Sequence, residues 1–128
     1  MRNKPVKREL LTKLAQLPFS TAVGYGNLVF ISGAIGSNPE TGLIAVGDVT
    51  EQTRQVLVNI QKNLEEAGSS LEMALKVTIF LTDMKNFKLM NDAYRSFFKE
   101  GFPARSCVEV SALPDPEALV EIEMVAGR

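Results

Sequence analysis

Two short stretches near the end of the chain carry the side chains best suited to chemistry. The first, Gly-Phe-Pro-Ala-Arg-Ser-Cys-Val-Glu-Val over Gly101 to Val110, holds Arg105 and Cys107. The second, Val120 to Met124, holds Glu121 and Glu123. Both alternate as β-strands do, and a Pro-rich turn, Leu113-Pro114-Asp115-Pro116-Glu117, separates them. Side chains reverse direction at each residue of a strand, so Arg105 and Cys107 share a face, as do Glu121 and Glu123. Paired as a hairpin, the strands would bring a guanidinium, a thiol and a carboxylate over one pleated surface. The guanidinium can hold an anionic substrate, and a carboxylate near it can position a water. The same residues admit a plainer account, with Arg105 and Glu121 as a weak cross-strand ion pair and Cys107 as a small core residue.

Composition narrows the chemistry. The 128 residues fit one domain, residues 1–128, with a formal net charge of -1. No basic stripe runs through the chain, so nucleic acid is not an expected partner. The basic residues Arg2, Lys4, Lys7 and Arg8 read as a solvated tail. Histidine is absent and cysteine occurs once, which excludes Ser–His and Cys–His nucleophile pairs, a His-based or structural zinc site and an internal disulfide. Acid–base work near neutral pH then falls to Glu, Asp, Lys, Tyr, Cys or a bound water. The N-terminus lacks the pattern of a signal peptide, and no window approaches the ~20 apolar residues of a membrane span. A single cysteine fits a reducing compartment, and the expected location is the cytoplasm.

The elements that must position these residues can be taken in order. Leu10, Leu11, Leu14 and Leu17 have helical spacing, with a strand as the alternative, and Pro18 ends whatever precedes it. Phe19 to Ser32 reads as two short strands around a turn at Gly24-Tyr25-Gly26-Asn27, with Leu28 to Ile31 a buried run. Ser32-Gly33-Ala34-Ile35-Gly36-Ser37-Asn38-Pro39 then reads as a surface loop with a turn at Asn38–Gly42, in which Ser32 and Gly33, at the strand's end, are the better site candidates. Thr50 to Ala67 is a predicted helix, N-capped by Thr50, with Val56, Leu57, Ile60 and Leu64 as its apolar stripe and Gly68 as its stop. Glu72 to Thr82 is a predicted central strand, apolar on both parities. A second helix follows, capped by Asp83 or Asn86 and ended by Gly101, with Phe87, Met90, Tyr94, Phe97 and Phe98 as its stripe and Asn91 at the stripe's edge. This order predicts an α+β fold, a mixed β-sheet with two α-helices on one face. The sheet's other face is left bare and partly apolar, which predicts a homo-oligomer.

At Phe102-Pro103-Ala104-Arg105-Ser106-Cys107-Val108-Glu109-Val110, with Glu121-Ile122-Glu123 downstream, the chain resembles the RidA (YjgF) family of reactive-intermediate deaminases. Other segments agree in order: Gly26-Asn27, Ile31-Ser32-Gly33, Asn38-Pro39, Gly42, Gln55, Asn59, Asn91, Tyr94, Phe97 and Phe98. The resemblance implies a chorismate-mutase-like fold and a homotrimer with a barrel-like core and ligand clefts between subunits. It also implies hydrolysis of small 2-imino acids, or their 2-aminoacrylate-type enamine tautomers, to 2-oxo acids and ammonia, with no cofactor and no metal. By that resemblance Arg105 grips the substrate carboxylate and Glu121 directs the attacking water. Cys107 lines the pocket, Ser32 and Gly33 contact the ligand, and Asn91 stands near the cleft. One departure is Phe19, where deaminase-active members commonly carry tyrosine. It keeps the ring and loses the hydroxyl, which predicts weaker deamination or a changed substrate set. Non-catalytic binding of a 2-oxo acid, or a chaperone-like interaction role, is the alternative function on the same fold.

Overall fold

The computed structural model describes residues 6–11 and 17–128. Leu14 and the basic residues Arg2 and Lys4 lie outside the described residues. Six strands form one sheet: β1 (Glu9–Leu10), β2 (Ala22–Tyr25), β3 (Leu28–Ile35), β4 (Ala74–Leu81), β5 (Ala104–Glu109) and β6 (Val120–Gly127). Their order is β1-β2-β3-β6-β4-β5, antiparallel throughout except that β4 and β5 run parallel. Helices α1 (Val49–Glu66) and α2 (Phe87–Arg95) complete the fold. A parallel strand pair needs a crossover, and α2 supplies it between β4 and β5.

Both helices cover one face of the sheet. Val56, Leu57, Ile60 and Leu64 of α1, with Met90 and Tyr94 of α2, bury against Val29, Ile31, Val77, Ile79, Leu81, Ile122 and Met124. The strand parities explain which residues go in: Val120, Ile122, Met124 and Ala126 are buried, while Glu121, Glu123 and Val125 alternate with them. Among the described residues the opposite face carries no helix, and Phe30 and Val108 on it are 43 % and 44 % exposed. The expected α+β architecture, a mixed sheet with two helices on one side, is therefore what the chain adopts.

Several local expectations are corrected. β5 and β6 do not form a hairpin, because β4 lies between them and bonds to both. The Pro-rich connection instead spans the width of one strand. Leu28 to Ile31 is buried only at Val29 and Ile31, since Phe30 faces the bare side. β3 continues through Ser32 and Gly33 to Ile35 rather than ending there. The N-cap of α1 is Asp48, whose carboxylate accepts from the Thr50 N–H at 2.8 Å, and Thr50 sits in the first turn. Gly68 does provide the left-handed stop, at φ 81°. Glu72 belongs to a 3-10 turn, Leu71–Met73, ahead of β4. Asp83 caps another such turn, Met84–Asn86, and α2 stops at Arg95, well before Gly101. Of the N-terminal leucines, Leu10 lies in a strand.

Candidate functional site

Arg105 is positioned by the β4–β5 ladder. It stands opposite Val77, and Cys107 stands opposite Ile79, both of which point into the helix-covered core. Residues opposite one another in a ladder project to the same side, so Arg105 projects beneath α2. Its Cζ lies 4.9 Å from the Tyr94 ring centroid and 5.7 Å from that of Phe87. Aromatic faces attract a guanidinium without neutralising it. Among the described residues Arg105 makes no ion pair. It opens on a pocket of about 210 Å³ lined by Asn91, Tyr94, Arg95, Phe102, Pro103 and Arg105. Two buried polar atoms at that pocket, Asn91 Oδ1 and Tyr94 Oη, have no hydrogen-bond partner. Burial pushes the Tyr94 pKa up to about 12, with nearby Arg105 pulling the other way. Tyr94 thus stays a neutral donor at physiological pH. Burial also raises the Cys107 pKa, again partly opposed by Arg105. The protonated thiol is a poor nucleophile, and Cys107 packs against the core rather than lining the pocket.

Glu121 occupies the opposite face. In the β4–β6 ladder it stands across from Phe80, one parity away from Val77 and Ile79. The cross-strand ion pair with Arg105 is therefore ruled out by geometry, and so is their meeting over one surface of a single chain. Glu121 belongs instead to a pocket of about 440 Å³ shared with Phe19, Ser32, Gly33, Ile35, Pro114 and Asp115. A β-bulge builds it. Between Ile31 opposite Met124 and Ala34 opposite Ile122, β3 carries one residue more than β6, and the extra residue falls at Ser32–Gly33. Glycine at 33 leaves the acid room to stand where it does, because a Cβ there would sit 2.9 Å from the Glu121 Cδ and 3.0 Å from its Oε2. The Ser32 hydroxyl donates to the Ser20 carbonyl at 2.6 Å, so its proton is committed while its oxygen can still accept. Burial raises the Glu121 pKa above the usual glutamate range, and the neighbouring Glu123 carboxylate raises it further.

The candidate residues thus fall into two groups. Arg105 and Asn91 line one pocket, with Cys107 just behind it, while Phe19, Ser32, Gly33 and Glu121 line the other. Charge separates with them: among the described residues, two arginines and no acid line the first, two carboxylates and no cation the second. Sequence reasoning passed over Pro114 and Asp115, treated as turn residues, and Tyr94, treated as core stripe. It also passed over Gln52, whose buried amide donates to the Glu117 carbonyl at 3.1 Å and accepts from the Leu119 N–H at 2.8 Å. These bonds tie the Pro-rich connection to α1. A glutamine amid an apolar stripe was the available signal.

Comparison with known proteins identifies the family. The family described as Endoribonuclease L-PSP matches residues 11–127. This chain belongs to that family, the RidA/YjgF proteins. A RutC family protein of Pyrococcus horikoshii is 50% identical over 111 residues, covering 87% of each chain. A protein of Capra hircus named 2-iminobutanoate/2-iminopropanoate deaminase is 38% identical over 109 residues, covering 85% of this chain and 79% of its own. Among solved structures, the Rid family protein YyfA of Yersinia pestis superposes with a TM-score of 0.89 at 42% identity, over 95% of this chain and 100% of that one. Among the described residues of this RidA-family chain, no helix is long and apolar enough to cross a membrane.

Proposed function

We propose that this chain is a deaminase that hydrolyses small 2-imino acids, and the enamines in equilibrium with them, to 2-oxo acids and ammonia in clefts shared between copies of a homotrimer. The observation that carries the reading is the separation of Arg105 from Glu121. One chain presents an unneutralised guanidinium in one pocket and an acidic, water-accessible pocket on the other face of the sheet. A second copy whose Arg105 pocket, at the β5 edge of its sheet, met the Glu121 pocket of the first would bring unlike halves together, and the half-exposed Phe30 and Val108 of the bare face favour cover by another copy. The goat relative's name supplies the reaction class.

In such a cleft the Arg105 fork binds the substrate carboxylate by two parallel hydrogen bonds. Glu121 of the other copy holds a water against the imine carbon and takes a proton as the carbon–oxygen bond forms. That proton passes to the nitrogen of the tetrahedral carbinolamine. Collapse expels ammonia and leaves the 2-oxo acid, so one water is consumed for each ammonia released. Cys107, held as a thiol by burial, has no bond-forming part.

A second reading, 2-oxo acid binding without turnover, draws on Phe19, which brings no hydroxyl to the Glu121 pocket. The deciding experiment generates 2-iminobutanoate in situ with an amino-acid oxidase and follows 2-oxobutanoate release. Acceleration by the wild type, lost in Arg105→Ala and in Glu121→Gln, supports deamination. Mixing the two inactive variants after dissociation and reassembly should restore part of the rate, because hybrid clefts regain one intact pair. No acceleration by the wild type, with 2-oxobutanoate binding retained, selects the second reading. Acceleration that survives Arg105→Ala refutes the assignment.

A further inference from the structure

Arg105 is not the sole cation of its pocket. Arg95, in the last turn of α2, lines the same space of about 210 Å³. Its Cζ lies 5.6 Å from the Phe102 ring centroid, and Phe102 stacks on Tyr94 at 6.4 Å, interplanar angle 19°. Tyr94 in turn lies under Arg105. One aromatic platform therefore carries a guanidinium at each side. The acid one helical turn before Arg95, Asp92, is already paired with Lys88 at 2.9 Å. Among the described residues Arg95 has no acidic partner. Arg95 is exposed to solvent, and two guanidinium groups lining one small pocket make it attractive to anions. A single carboxylate occupies one fork. The second fork, with the unpartnered Tyr94 hydroxyl in the same pocket as a further donor, is left without an anion by a monocarboxylic imine.

We propose that Arg95 is a second anion-binding group and that this pocket takes 2-imino and 2-oxo acids bearing a second carboxylate on the side chain. The inference rests on the carboxylate-binding part assigned to Arg105 above, and it adds which acids are preferred. The pocket is smaller than the roughly 300–1,000 Å³ typical of drug-sized sites, which suits a short dicarboxylic acid rather than a larger anion. Arg95 would bind it as a planar fork, so lysine replaces it poorly.

The test titrates the intact protein by calorimetry with 2-oxopentanedioate and with 2-oxobutanoate. The wild type should bind the dicarboxylate more tightly by on the order of 10- to 100-fold, the range expected of one charge-assisted hydrogen-bonded pair. Arg95→Ala should remove that preference and Arg95→Lys should keep part of it. The corresponding imines, generated in situ, should show the same change in the ratio of their kcat/KM values. Equal binding of the two acids by the wild type, or a preference that survives Arg95→Ala, overturns the inference while leaving the Arg105 assignment intact. Failure of both acids to bind overturns both. Light scattering accompanies each variant. Loss of assembly in Arg95→Ala would identify Arg95 as an interface ion-pair partner of an acid on another copy, and would also overturn the inference.

Discussion

Gly33 and Glu121 are held so close that a methyl group on the Gly33 α-carbon would lie 2.9 Å from the Glu121 Cδ. The atom it would strike is the far end of a side chain, so the carboxylate can swing aside and the backbone need not move. Gly33→Ala should therefore spare stability and misplace the acid. A displacement of about 1 Å at a catalytic group can cost on the order of 100-fold in rate. The expected result is a large fall in kcat/KM for in situ 2-iminobutanoate with unchanged far-UV circular dichroism and urea midpoint. A loss of stability equal to the loss of activity would contradict it.

The raised pKa of Glu121 sets the pH behaviour in two ways. If Glu121 works as the carboxylate, kcat/KM should rise with pH along a limb that lies above the ordinary glutamate range, and Glu121→Gln should abolish the limb. Stability moves in the opposite direction. A carboxyl whose folded-state pKa exceeds its unfolded value imposes no penalty below the unfolded pKa, and the penalty is complete above the folded one. Glu121→Gln should thus raise the melting temperature at neutral pH. The gain should shrink as pH falls through the folded-state pKa and vanish in acid. A gain that is constant with pH would mean that ionisation of Glu121 is not its source.

Phe19 lines the Glu121 pocket and is 52 % exposed, so a hydroxyl can be added at its ring without burying it. Phe19→Tyr should change stability by less than about 0.5 kcal/mol. If the hydroxyl orients water or ligand, kcat/KM should rise by on the order of tenfold, in line with a hydrogen bond to a charged group. An unchanged rate would show that the ring alone suffices.

Gln52 is nearly fully buried and bonds both to Glu117 and to Leu119. Gln52→Ala would strand a carbonyl and an N–H at the Pro-rich connection that walls the Glu121 pocket. Leaving such groups unpaired costs about 1–3 kcal/mol. Urea unfolding should report that loss, and the variant should also lose activity because Pro114 and Asp115 would no longer be held in place.

Much of this architecture could be read from residue order. The helix over Val49–Glu66 with its Gly68 stop, the buried parity of Val77, Ile79 and Leu81, and the bare sheet face all follow from local patterns of period 3.6 or 2. Arg105 and Asn91 of one pocket and Phe19, Ser32, Gly33 and Glu121 of the other were also identified, but not their grouping. Period-2 alternation shows which residues of one strand share a face and says nothing of which strands are neighbours. β5 and β6 are adjacent in the chain, yet β4 enters between them through non-local hydrogen bonds. That insertion, together with parity, sets Arg105 and Glu121 back to back. Tyr94 was hidden for a related reason, since a helix stripe looks the same whether it fills a core or floors a pocket.

The extra residue of β3 at Ser32–Gly33 acts as a half-step in an otherwise two-beat strand. Ahead of it, Ile31 points inward. After it, Ala34 packs on the core and Ile35, aligned with Glu121, is turned outward to wall the acid's pocket. Removing one residue here would restore plain alternation: Ala34 would stay opposite Ile122 and Ile35 opposite Glu121, but the doubled Ser32–Gly33 step that opens the acid's pocket would be lost. A single-codon deletion at this spot would therefore spare the interior and strip the rim, whereas the same deletion in the Asn38–Gly42 turn would merely shorten an exposed loop.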